Sequence, residues 1–295
     1  MNPHDRIAAA PISWGVCEVP GWGAQMPPDR VLAEMRGLGI RATEAGPEGY
    51  LGTDPEEAGE LVGRHGLHLV GGFVPAVLHR EHGLATVERE AEMFATAGAD
   101  VVVLAALARE GDYDSRNELS EHEWDALLAG LDGAQEVCAG AGIRCALHPH
   151  VGTLVERAPE VERVLADSHV QLCLDTGHLL IGGVDPVDLA RRAADRVSHV
   201  HLKDVDAALA QRVLAGEQAY SDAVRDGLYR ALGAGDVDVR GFVALLEDAG
   251  YDGWYVLEQD VMLDADPPDG AGPLEDVRES ADFLRSLLRP AARVD

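Results

Sequence analysis

The chain is short of several things, and each shortage narrows what it can be. Cysteine is rare: Cys17, Cys138, Cys145 and Cys173 are the only four among 295 residues, and no two make a Cys-x-x-Cys pair. Cys145 and Cys173 fall inside apolar runs, where a free cysteine behaves as a small apolar residue, so the pattern reads as a reduced, cytoplasmic protein. Basic residues are scarce too, 24 Lys+Arg against 52 Asp+Glu, for a formal net charge of -28. Such a surface repels nucleic acids and anionic lipid, and neither is expected as a partner. No apolar run approaches the roughly 18–20 residues needed to cross a bilayer, and the N-terminus lacks the basic and apolar segments of a signal peptide. A phosphate-binding glycine loop and an arginine clamp are also absent, which favours an uncharged substrate.

What the chain does have is enough apolar material, 46%, for a sizeable core, and a steady alternation of short apolar runs with helical stretches. Strands are expected over Ile7–Trp14, Ile40–Glu44, Leu67–Gly71, Asp100–Ala105, Ile143–His148, Val170–Leu174, Val197–Leu202 and Gly253–Glu258. Helices are expected between them. The first, Asp29–Leu38, follows Pro28 and stops at Gly39. Asp54-Pro55-Glu56-Glu57 opens the second, and Ser120-Glu121-His122-Glu123 is a capping box after a polar loop over Arg109–Leu119. Further helices are expected over Leu84–Ala97, Pro159–Ala166, Pro186–Ala194 and Arg240–Ala249. An insertion, residues 205–235, follows the seventh strand, and a helix over Leu274–Leu288 closes the chain. Eight strand–helix units without a Pro/Ser-rich linker predict one domain over residues 1–295, a (β/α)8 TIM barrel.

In such barrels the chemistry sits at the carboxyl ends of the strands. Strand five ends at His148-Pro149-His150, strand six at Asp175-Thr176-Gly177-His178, strand seven at His201-Leu202-Lys203-Asp204 and strand eight at Glu258-Gln259-Asp260. Four adjacent strands thus deliver imidazoles and carboxylates to one stretch of rim. The set suits a borderline divalent ion, Mn²⁺, Co²⁺ or Zn²⁺, with His148, Asp175, His201 and Glu258 as candidate ligands. His199 shares a face with His201 one layer deeper and reads as a packed or supporting histidine. Plainer roles compete residue by residue. Asp175 is equally placed to cap a helix, Asp204 to cap or pair, Glu44 to form a rim ion pair or to hold a substrate hydroxyl, and Trp14 to plug the barrel.

The blocks Pro11-Ile12-Ser13-Trp14-Gly15-Val16-Cys17-Glu18, Thr43-Glu44-Ala45-Gly46-Pro47-Glu48-Gly49-Tyr50-Leu51, His148-Pro149-His150-Val151-Gly152-Thr153, Leu174-Asp175-Thr176-Gly177-His178, His199-Val200-His201-Leu202-Lys203-Asp204 and Leu257-Glu258-Gln259-Asp260 resemble the xylose-isomerase-like barrels of sugar isomerases and epimerases. Within them the likeness is to the inosose dehydratase branch. The resemblance implies one divalent metal, Mn²⁺ or Co²⁺ before Zn²⁺ or Mg²⁺, held at Asp175, His201 and Glu258. His148 stands where many members carry Glu, which disfavours a two-Glu proton shuttle. The implied reaction is hydro-lyase chemistry on a cyclic keto-polyol such as scyllo-inosose. His150, His178 and Lys203 are the acid and base candidates beside Glu258. Trp14 would stack on the ring, and Glu44, His178 and Lys203 would hold its hydroxyls. A keto-sugar isomerase or epimerase and a 3-keto-glycoside eliminase are the alternatives on the same barrel. The oligomeric state, a homo-oligomer included, is left open.

Overall fold

A computed structural model describes residues 3–80, 82–109 and 118–288. Eight parallel strands close into a barrel: β1 (Ile7–Ala9), β2 (Ala42–Glu44), β3 (His68–Ala76), β4 (Val101–Ala106), β5 (Arg144–Leu147), β6 (Leu172–Asp175), β7 (Val197–Leu202) and β10 (Tyr255–Leu257), with β10 pairing to both β7 and β1. Helices run between successive strands: α1 (Pro28–Gly37), α2 (Pro55–Arg64), α3 (Gly83–Ala97), α4 (Glu121–Gly140), α5 (Ala158–Asp167), α6 (Thr176–Ile181), α7 (Pro186–Ala193), α8 (Ala207–Leu214), α9 (Tyr220–Arg225) and α10 (Val239–Asp248), and α11 (Leu274–Leu287) follows β10. The TIM barrel read from the strand–helix alternation is the observed fold.

Local chemistry sets the helix starts. Asp54 accepts from the amides of Glu56 and Glu57 ahead of α2, with Pro55 in the first position. Ser120 and Glu123 form the reciprocal capping box of α4. The polar loop expected over Arg109–Leu119 lies largely outside the described residues.

Three boundaries differ from expectation. β1 stops at Ala9 because Pro11 opens a 3-10 turn over Pro11–Trp14. β3 continues past Gly71 to Ala76, in register with β4 from Gly71↔Val101 to Ala76↔Ala106. Pairing outweighs the weak strand propensity of its two glycines. The stretch between β7 and α10 adds a two-stranded ribbon, β8 (Asp204–Val205) with β9 (Tyr229–Arg230), around α8 and α9.

Period-two alternation separates two apolar layers. Leu69, Val102, Leu104, Cys145, Leu147, Leu174, Val200, Leu202 and Leu257 face the helices. Ala8, Ala10, Ala42, Val70, Val101, Val103, Ala146, Cys173 and Val256 fill the barrel. The interior set is small, and that is what places the site. Two residues beyond Ala42, Ala146, Cys173 and Val256 come Glu44, His148, Asp175 and Glu258, so each of these inherits the inward direction. All four cysteines are free. No helix among the described residues is long and apolar enough to cross a membrane.

Candidate active site

Asp175 ends β6 in register with His201 on β7. Its two oxygens have different duties. Oδ1 accepts from the amides of Gly177 and His178, both at 2.8 Å, and caps α6. Oδ2 lies 3.4 Å from Nε2 of His148 and 3.7 Å from Nδ1 of His201 without bonding to either, and it has no hydrogen-bond partner among the described residues. Cap and ligand, set against each other in the sequence, are therefore compatible in one carboxylate.

The rest of the Asp-Thr-Gly-His turn follows from its neighbours. Thr176 Oγ1 donates to the Lys203 carbonyl at 2.6 Å and accepts from the Lys203 amide at 2.9 Å, tying the ends of β6 and β7 together. A Cβ on Gly177 would sit 2.6 Å from Cβ of Lys203, so only glycine allows this approach.

Glu258, after β10, brings Oε2 to 3.0 Å from Nδ1 of His201 and 3.0 Å from Nζ of Lys203. Ligand-type atoms of Asp175, His201 and Glu258 lie within 4.8 Å of one another, as do those of His148, Asp175 and His178. Both ring nitrogens of His148, Nδ1 of His201 and Oδ2 of Asp175 are buried without hydrogen-bond partners among the described residues. Buried polar atoms are almost always paired, so a convergent unpaired set of this kind marks a place for a ligand. Nitrogen and carboxylate donors without thiolate suit a borderline divalent cation, and Glu44, Asp175, Glu258 and Asp260 outnumber the one ammonium.

Electrostatics agree. Burial opposes a charge on His201, yet Cys173, Glu258 and Glu44 outweigh it and raise its pKa well above the usual imidazole value. Positive charge is thus favoured at that position, carried by a proton or by a cation. Burial lowers His148, and burial with His150 and Lys203 lowers His178 well below the ordinary value. His150 is pushed down to about 3 by burial, with His148 and Lys203 adding to the effect. The His150 and His178 ring centroids lie 3.8 Å apart, with the planes tilted by 37°.

Lys203 is held in its charged form. Burial lowers its pKa, but Asp260, Glu258, Tyr229 and Asp175 hold it well above the usual value. Its Nζ contacts Asp260 Oδ1 at 2.5 Å and His178 Nε2 at 3.1 Å.

Two residues with alternative readings have protein partners in the structure. Trp14 belongs to the strand–helix layer, fully buried, with its indole N–H donating to Glu34 of α1 at 2.8 Å. The 3-10 turn that follows β1 sets it against α1. Phe73 of β3 lies instead beside the imidazoles, 5.3 Å from the His150 ring and 6.1 Å from that of His148. Glu44, at the end of β2, forms ion pairs, the first of the two roles read for it. It points into the barrel, with Oε1 2.7 Å from His199 and 2.8 Å from His201. Burial opposes its charge, but the two imidazoles hold its carboxyl below the usual range.

Sequence reasoning missed the groups around Asp260. Tyr220 of α9 donates to Asp260 Oδ2 at 2.5 Å and lies 2.7 Å from the hydroxyl of Tyr229, whose ring stands 5.0 Å from Lys203 Nζ. The only signal was two tyrosines in the stretch after strand seven of a chain with 5% aromatics. Asp204, by contrast, is structural: it accepts from the amides of Val205, Gly233, Gly235 and Val237.

A closed parallel barrel with a His/Asp/Glu cluster at the carboxyl ends of four adjacent strands defines a TIM-barrel protein with ligand-type groups gathered at its mouth. The chain belongs to the xylose isomerase-like TIM barrel family, whose model matches residues 32–287. It is 34% identical over 273 residues to a protein named inosose dehydratase from Geobacillus kaustophilus, covering 88% of each chain. It is 33% identical over 268 residues to the rhizopine catabolism protein MocC of Rhizobium meliloti, covering 86% of this chain and 81% of that one. Among solved structures, a 3-keto-D-glucoside 4-epimerase from E. coli superposes with a TM-score of 0.66 at 17% identity, covering 95% and 99% of the two chains. The IOLI protein with a binding zinc atom superposes with a TM-score of 0.67 at 13% identity, covering 96% and 98%. These two likenesses are of fold.

Proposed function

We propose that the protein is a hydro-lyase that eliminates water from a cyclic keto-polyol of the inosose class, with one divalent cation at His148, Asp175, His201 and Glu258. The observation that carries the reading is the convergence of buried donor atoms of His148, Asp175 and His201, unpartnered among the described residues, on Glu258 and a cationic lysine. The 34% identity to a protein named inosose dehydratase supports the substrate class. So does a site whose only ammonium is neutralised by carboxylates, which offers nothing to a phosphate.

When bound, the cation supplies Lewis acidity to a ketone oxygen and so acidifies the neighbouring C–H. The chain's own groups move the protons. His150 places its Nδ1 proton on the Val151 carbonyl at 2.7 Å, which makes Nε2 its basic nitrogen. Neutral at working pH, it is the base that takes the proton α to the ketone. Lys203 Nζ is the acid that protonates the β-hydroxyl as its C–O bond breaks, so that water leaves and a C=C bond remains. Lys203 donates to Nε2 of His178, which puts the His178 proton on Nδ1, a buried atom with no partner among the described residues. That N–H orients a substrate hydroxyl.

The test is incubation of purified, metal-loaded protein with scyllo-inosose in D₂O, followed by proton NMR. An unsaturated product with one water lost is expected. Solvent deuterium entering recovered substrate without loss of water would replace this reading with an isomerase or epimerase.

A further inference from the structure

Against one of the four ligand-type groups, His201, lies a buried polar pair, Glu44 and His199, that the proposed reaction does not use. Glu44 ends β2 and reaches across the barrel to β7, where its Oε1 lies 2.7 Å from Nε2 of His199 and 2.8 Å from Nε2 of His201. These side chains are between 0 and 4% exposed. A carboxylate oxygen has no hydrogen to give, so both imidazoles donate, and each carries a proton on Nε2. For His201 the other nitrogen, Nδ1, is then the one that faces the site, 3.0 Å from Glu258 Oε2 and 3.7 Å from Asp175 Oδ2.

The reverse tautomer would set a bare Nε2 against a buried carboxylate and aim an N–H at the cation's place. Losing one of two donors to a buried carboxylate and setting a lone pair against it is costly, so Glu44 favours the first. His199 completes the device. Two residues before His201 on one strand, it shares that face, and one oxygen can receive both rings. Its bond keeps Glu44 from turning away.

We infer that Glu44, anchored by His199, is the positioning residue that holds His201 with Nδ1 turned to Asp175 and Glu258. This rests on the reading of His201 as a cation ligand. It makes Glu44 a partner of the cation's ligand, and neither a substrate contact nor a ligand itself.

The experiment uses the full chain with Zn²⁺ as probe. Nitrogen-15 NMR of histidine-labelled, Zn²⁺-loaded protein should show His201 coordinated through Nδ1 and protonated on Nε2. Glu44→Gln, which keeps size and an acceptor oxygen but loses the charge, should weaken Zn²⁺ binding by about 10–100-fold in a chelator competition. His199→Gln should weaken it less, and it serves as the reading if Glu44→Gln does not fold. Coordination of His201 through Nε2, or unchanged affinity in the variant read, would overturn the inference alone. Two Zn²⁺ per wild-type chain falling to one in Glu44→Gln would also overturn it, because Glu44, His199 and His201 are close enough to hold an ion of their own. A wild type that binds no Zn²⁺ would remove the cation reading and this inference together.

Discussion

Nε2 of His148 stands 3.4 Å from Oδ2 of Asp175, and neither atom has a hydrogen-bond partner among the described residues. Asp175→Asn tests what that separation is for. Asn caps a helix about as well as Asp, so α6 should survive and the metal-free protein should melt near the wild-type temperature. Co²⁺ affinity, followed by its visible absorption, should fall by more than the roughly 10–100-fold that loss of a supporting residue costs. Undiminished Co²⁺ binding would mean that Asp175 is a cap and nothing more.

Lys203 and Asp260 form a buried ion pair, with side chains 3% and 8% exposed. Lys203→Met should lower kcat by about 10²–10⁴-fold, the usual contribution of a positioned acid. It should also destabilise the fold by about 3–5 kcal/mol, because a buried carboxylate cluster loses its counter-charge. Adding Asp260→Asn should return much of the stability in urea unfolding and none of the activity. If both returned together, Lys203 would be structural.

Tyr220→Phe removes one hydroxyl and leaves Asp260 Oδ2 without its donor. A hydrogen bond to a charged group contributes about 1.5–3 kcal/mol, and a loss of that order is expected in urea unfolding. Unchanged stability would show that α9 does not rest on Asp260.

Trp14→Phe should leave KM for the keto-polyol within about twofold and cost about 1 kcal/mol of stability, since only the bond to Glu34 and some packing are lost. A large rise in KM would restore Trp14 to the substrate surface.

The opposite end of the barrel carries a pH dependence free of the site. His68 Nε2 lies 2.8 Å from Asp100 Oδ2, and that bond raises the His68 pKa. Burial raises Asp100, but His68 outweighs it and the carboxyl is lowered. The histidine contribution is complete below the ordinary imidazole value of 6.5 and is lost as pH rises through the raised folded value. The aspartate contribution is present above 3.8 and is lost as pH falls through the lowered one. The melting-temperature difference between wild type and His68→Asn should therefore be largest near pH 5–6 and shrink by pH 8.5. A difference flat across that range would show that the pair is not coupled to stability.

Much of this architecture is written in local pattern. Asp54-Pro55 and the Ser120–Glu123 box act over three or four residues, so their helices were legible without tertiary contacts. The rim groups His148, Asp175, His201 and Glu258 were legible because period-two alternation fixes direction once a strand is recognised. Trp14 was not, because a 3-10 turn breaks that period just after Ala9.

By itself the sequence determined the eight-fold strand–helix order and the residues carried at the carboxyl ends of β5, β6, β7 and β10, since both depend on periodicities along one segment. Only the tertiary structure decided the partners. That Glu44 crosses the barrel to His199 and His201, 155 and 157 positions later, and that Tyr220 reaches Asp260, 40 positions later, are consequences of barrel closure and of how the stretch after β7 packs. Such contacts join side chains remote in sequence, and no spacing within a strand or helix encodes them.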